Sequence, residues 1–238
     1  MIAATFVAFA AASSMPLAGT TVHLDAGHNG ANRAHASQIN RAVPAGTGDP
    51  RKACDTTGTQ TDDGRLTESR LNLDLARRAA RRLERLGAHV VLTRTTDDGV
   101  GPCVNERAAI GNRAHADLAL SIHADGGPPG GRGFHVIAPL RTRAVRPAIA
   151  APSLRFAKLL RAQLEGIGLR RSTYLGGGAG LVRRSDLGGL NLSRVPKAFV
   201  ELGNMPNAAD ARLLARTSDR DRIARALTAA VARALPGR

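Results

Sequence analysis

Residues 117–125 constrain this chain more than any other stretch. Leu118, Leu120 and Ile122 alternate with Ala119, Ser121 and His123, and a turn-forming Asp125-Gly126-Gly127 closes the run. That two-residue period belongs to an extended strand with two different faces. His123 therefore stands at the carboxyl end of a buried strand. In open α/β sheets this is the edge where ligands and catalytic groups collect. A strand-end histidine also serves structural ends, satisfied by a backbone carbonyl, so its meaning depends on what else reaches the same edge.

The rest of the chain repeats the pattern. Strands are predicted over 20–25, 89–94, 133–137 and 197–201, with a short one near Leu181. The clearest helix covers 66–86, where Leu71, Leu75, Ala79, Leu83 and Leu86 form an apolar stripe. Thr67 is its expected N-cap and Gly87 its stop. Further helices are expected over 105–116, 154–164, 207–215 and 219–235. Alternating strands and helices predict a single α/β domain with a twisted, mainly parallel sheet of about six strands, covered by helices on both faces. Residues 31–64 interrupt the pattern as a long polar loop rich in Gly and Pro, carrying His35 and Cys54.

Four chemistry-bearing groups fall at one edge of such a sheet. The first strand ends in Ala26-Gly27-His28-Asn29-Gly30 and the last in Glu201, while Glu68 opens the long helix on its buried stripe. A carboxylate on an apolar stripe needs a cation or a metal, although a first-turn glutamate also favours the helix dipole. Two neutral imidazoles and one carboxylate are the ligand set of a hydrolytic zinc site, and a second carboxylate is needed to move the proton of the attacking water. No HExxH is present, and the four groups match no compact local motif.

Composition sets the compartment and the partners. Residues 1–20 carry no charge, run apolar over 2–12 and offer a small residue at Ala18. This reads as a secretory leader over 1–19 without the usual basic start; the alternative is a buried first helix. Cys54 and Cys103 have no CxxC neighbour, so outside the cytosol they are expected to form one disulfide, contributing ~4 kcal/mol in the chain-entropy model. In the cytosol they would be two free thiols. The net charge of +15 suits an anionic partner, but 3% aromatic content with no Trp leaves no stacking platform for single-stranded nucleic acid. Most arginines, such as Arg77, Arg78, Arg81, Arg82 and Arg85, read as solvated helix faces.

Several segments resemble the bacterial zinc-dependent N-acetylmuramoyl-L-alanine amidases. Residues 22–30 resemble that family's strand-and-histidine signature, and Thr67-Glu68-Ser69-Arg70-Leu71-Asn72-Leu73 its glutamate segment. Residues 121–125 and 199–207 resemble the segments of the third ligand and the catalytic glutamate. Leu92-Thr93-Arg94, Asn105-Glu106-Arg107, Asn112 and Ala116-Asp117-Leu118 also fit, so the likeness runs in order from about residue 20 to the end. Ala26 and Asn29 stand where the family usually has Pro and Gly, Ser69 where Lys is common, and the 31–64 loop is longer than in many members.

The resemblance implies that His28, Glu68 and His123 hold Zn²⁺ and that Glu201 acts as general base and then acid. The implied reaction is hydrolysis of the amide between N-acetylmuramic acid and the L-Ala of the stem peptide. Residues 20–238 would form the catalytic domain. The expected partners are peptidoglycan and muropeptides, with no nucleic acid, no stable membrane span and a monomeric chain that is secreted, periplasmic or cell-wall located. Three rivals leave something unexplained. A non-catalytic wall-binding relative would lack one of the four groups, a zinc carboxypeptidase commonly has an HxxE pair, and a nucleic-acid binder has no use for the carboxylates.

Overall fold

The computed structural model describes residues 15–46, 51–142 and 147–235. In chain order the elements are β1 (Thr21–Ala26), α1 (Ala36–Ile39), β2 (Ala42–Pro44), β3 (Arg51–Ala53), α2 (Glu68–Arg85), β4 (His89–Leu92), α3 (Val104–Arg113) and β5 (Leu118–Asp125). There follow β6 (His135–Pro139), α4 (Pro147–Gly166), β7 (Leu181–Arg184), α5 (Gly188–Asn191), β8 (Lys197–Asn204), α6 (Ala208–Ala215) and α7 (Thr217–Ala234). Six strands form one sheet in the order β4-β1-β5-β8-β6-β7, and β2 pairs with β3 in a separate hairpin.

All neighbouring strands of the large sheet run parallel except β6 and β8. The exception has a simple cause. No helix lies between β5 and β6, and a chain without a crossover reverses direction, whereas α4 carries β6 over to a parallel β7. The fold class expected from the sequence is the one observed.

The sheet has one dry face and one charged face. Val22 and Leu24 of β1, Leu118, Leu120 and Ile122 of β5, and Ala198 and Val200 of β8 are buried in the main core. Leucines of α2, Phe156 and Leu160 of α4, and Leu227 and Val231 of α7 complete that core. The alternate residues include His23, Asp25, Ser121, His123, Lys197 and Glu201, beside the apolar Ala119 and Phe199. They face the side covered by α3, α5 and the 31–64 segment. Parallel strands buried on both faces usually read as continuous apolar runs; the strict alternation here marks a face that houses polar groups.

Local departures from the sequence reading are instructive. Residues 31–64 hold a 3-10 turn, α1 and the β2–β3 hairpin, elements too short to show a period. The helix expected over 154–164 extends back to Pro147, and β8 continues to Asn204. The strand expected at Gly133 starts at His135, since Gly133 has φ +96° and its backbone closely approaches Arg170 and Arg171. Of the expected leader, residues 1–14 lie outside the described residues. Leu17 is fully buried in the main core, and its N–H donates to Leu86 O at 2.9 Å. Cys54 and Cys103 form the expected disulfide. Among the described residues, no helix is long and apolar enough to cross a membrane.

Candidate metal centre and active site

His28, Glu68 and His123 meet at the carboxyl edge of the sheet. One ligand atom from each lies within 4.8 Å of the others. Glu68 Oε1 is 3.2 Å from His28 Nε2 and 2.9 Å from His123 Nδ1. The strands deliver the histidines, and α2 delivers the glutamate at its first residue, where Thr67 caps the helix as expected by accepting from Arg70 N.

The backbone around the site is built for close approach. A Cβ at Gly27 would lie 2.0 Å from the His123 ring, so only glycine fits beneath that imidazole. The His123 ring also stacks on Phe199, with centroids 4.0 Å apart. His28 adopts φ +56°, a left-handed conformation that costs a non-glycine residue of order 1–3 kcal/mol unless its surroundings hold it. Arg107 supplies the hold from α3. Its guanidinium donates to Ala26 O at 2.8 Å and His28 O at 3.0 Å, on either side of Gly27.

Charges at the site follow from burial and partners. Burial disfavours an imidazolium at His28, yet the Glu68 carboxylate and the Asp55 hydrogen bond outweigh it and raise its pKa to about 10. Burial opposes ionisation of Glu68, but His28 and hydrogen bonds from both imidazoles keep its carboxyl well below the usual carboxylate range. Burial lowers the pKa of His123. A buried carboxylate between two imidazoles requires one unit of compensating charge or more. A divalent cation meets that need with both rings neutral, so the donor set fits the zinc ion inferred from the sequence.

Glu201 stands in register with His123 on the adjacent strand β8, and with His135 of β6 on its other side. Burial, reinforced by the charges of Glu68 and Asp125, pushes the Glu201 carboxyl well above its ordinary pKa, against a smaller pull from His28 and Arg184. Its Oε2 is buried with no hydrogen-bond partner among the described residues. His28, His123 and Glu201 line a cavity of about 360 Å³, walled by Lys52 of β3 and Arg184 of β7.

A sequence profile described as N-acetylmuramoyl-L-alanine amidase matches residues 22–233. The chain belongs to the N-acetylmuramoyl-L-alanine amidase family. It is 41% identical over 237 residues to an amidase of that name from Mycobacterium tuberculosis, covering 98% of this chain and 94% of the relative. The crystal structure of an N-acetylmuramyl-L-alanine amidase from Mycobacterium smegmatis superposes with a TM-score of 0.85 at 43% identity, covering 92% of this chain and 97% of that one. An amidase structure from Clostridium difficile, 19% identical with a TM-score of 0.67 and covering 89% and 94% of the two chains, shares the fold. As a member of this amidase family, the chain is a peptidoglycan hydrolase.

All four site residues expected from the sequence come together. None of the remaining described histidines belongs to the group of converging ligand atoms. His23 Nε2 lies 2.8 Å from Thr93 Oγ1, and burial lowers its pKa to about 4. His35 is exposed and contacts Ala31 O. Reasoning from the sequence gave no role to Asp55 or Thr59, nor to Arg107 although its segment resembles the family's; these hold the candidate ligand residues, and the Asp25–Lys197 pair beneath them was missed as well. Their roles arise from contacts across the fold, and no local motif announces them.

Proposed function

We propose that this amidase is zinc-dependent, with His28, Glu68 and His123 holding the ion and Glu201 moving the proton. The observation that supports it is the convergence of the three donor atoms within 4.8 Å beside a buried carboxylate whose Oε2 is unpartnered. Zinc bound there would lower the pKa of a water and polarise the scissile carbonyl. Glu201, with a raised proton affinity, would accept the proton of the attacking water and return it to the L-Ala nitrogen as the amide with the lactyl group breaks. The His123 ring, packed closely on the Gly27 backbone and stacked on Phe199, would keep its donor atom from swinging away. The cavity beside these groups would receive the stem peptide against Lys52 and Arg184.

The same reading makes the chain an exported, monomeric enzyme acting at the cell wall. The Cys54–Cys103 disulfide supports export, since such bonds persist in oxidising compartments. Mass spectrometry of purified muropeptides tests the chemistry. Release of intact stem peptide with a free L-Ala amine, abolished by a chelator and restored by Zn²⁺, is expected. Full turnover in the metal-stripped protein would overturn zinc dependence.

A further inference from the structure

Cys54-Asp55-Thr56-Thr57-Gly58-Thr59, which the sequence places in a long loop, wraps the outer side of two of the three expected metal ligands. Asp55 Oδ1 is 3.1 Å and Thr56 O 3.2 Å from His28 Nδ1. Two acceptors around Nδ1 favour a ring hydrogen there, which makes Nε2, on the Glu68 side, the nitrogen that would bind a metal ion. Thr59 N donates to Glu68 Oε2 at 3.0 Å, which turns Oε1 toward the imidazoles.

Asp55 is itself held. Its Oδ2 accepts from Asn29 Nδ2 at 3.2 Å and from Arg107 Nη2 at 3.3 Å, and Thr56 N donates to Oδ1. The residue before it is tied twice to the start of α3, through the disulfide to Cys103 and through Val104 N donating to Cys54 O at 2.8 Å. That helix carries Arg107, so the disulfide joins the two segments that grip His28.

We propose that Asp55 is a positioning residue that sets the metal affinity of the site through His28, and that the Cys54–Cys103 disulfide supports zinc retention by keeping Asp55 in place. This rests on the zinc reading above. A carboxylate behind a ligating histidine fixes the ring's tautomer and orientation and raises its basicity, and losing such a partner typically costs 10–100-fold in affinity.

The test measures zinc affinity of the metal-stripped full chain by competition with a chromophoric chelator, in folded variants checked by circular dichroism. Asp55→Ala is expected to weaken binding about 10–100-fold. Asp55→Asn, nearly isosteric and still an acceptor, should lose less. Nitrogen NMR of the zinc-loaded protein should show His28 with its hydrogen on Nδ1 in the wild type and a disturbed signature in Asp55→Ala. Cys54→Ser with Cys103→Ser should weaken zinc in the same direction. Combined with Asp55→Ala it should add nothing, because both changes act on one linkage. Wild-type affinity in Asp55→Ala and Asp55→Asn overturns the role of Asp55. Unchanged affinity in the double serine variant, or additive losses, overturns its coupling to the disulfide. A wild-type chain that binds no stoichiometric zinc overturns the metal reading and this inference with it.

Discussion

Two carboxylates on the same charged face of the sheet, Asp25 and Glu201, line one cavity and meet opposite fates. Asp25 accepts from Lys197 Nζ at 3.0 Å, Arg107 Nη1 at 2.9 Å, Thr93 Oγ1 at 2.9 Å and Ser121 Oγ at 2.6 Å. Burial opposes its ionisation, but Lys197 and Arg107 outweigh that and hold its carboxyl well below the ordinary range. Glu201 is buried among like charges from Glu68 and Asp125, and its proton affinity rises. Burial is common to both, so their partners make the difference. The floor of the cavity is a closed ion network, and its wall carries a carboxylate left free to exchange a proton.

The sharpest way to break that contrast is Glu201→Gln. General acid–base catalysis contributes about 10²–10⁴-fold, and a loss of that size in kcat on muropeptides is expected, with zinc content and thermal midpoint unchanged or improved. A large loss of stability with little loss of rate would make Glu201 a structural residue like Asp25. The complementary change is Asp25→Asn. It leaves buried Lys197 without its counter-charge and Arg107 with Asp55 alone, and breaking a buried pair in this way costs about 3–5 kcal/mol. Urea unfolding of the full chain measures it; a cost under ~1 kcal/mol would show that Asp25 is not what holds Lys197 and Arg107 in the sheet.

Asp25 also predicts a pH dependence. Its folded pKa lies below the unfolded one, so its contribution to stability is fully present above the unfolded value of about 4 and is lost as pH falls toward the folded value. Asp25→Asn should therefore flatten the acid side of the stability profile below about pH 4. An acid slope as steep as that of the wild type would assign acid sensitivity to other carboxylates.

How far the sequence discloses this site depends on the range of the contacts. His28, His123 and Glu201 were legible because period-two alternation places them at strand ends, and Glu68 because it fell on an apolar stripe. Those signals are local. Asp55 gave none, since its meaning comes from His28 and Arg107, far away in the chain. The solvated-face reading of the helix arginines fits Arg81 and Arg85, whereas Arg94 and Arg107, which stand in segments that resemble the family, are buried and hold the turn beneath the site, a role the resemblance does not name. The β2–β3 hairpin pairs only three residues per strand, too few for a pattern. β7 was faint because its four residues are mostly half-buried and show no alternation of faces.

The smallest expected effect tests the wall of the cavity without touching Glu201. Asp125, at the end of β5, accepts from Tyr174 Oη at 2.9 Å and from Gly126 N at 2.8 Å. Its negative charge is one of the causes that raise the Glu201 pKa. Asp125→Asn keeps an acceptor oxygen for Tyr174 and removes the charge. With less repulsion, Glu201 ionises at lower pH, so its base form persists further into acid and the acid limb of the kcat/KM profile moves to lower pH. The shift should vanish in the Glu201→Gln background, because no carboxyl remains at 201 to titrate. A limb that moves toward alkaline pH, or a shift of the same size in both backgrounds, would mean that Asp125 acts on another group and that the proton affinity of Glu201 is set by burial and Glu68 alone.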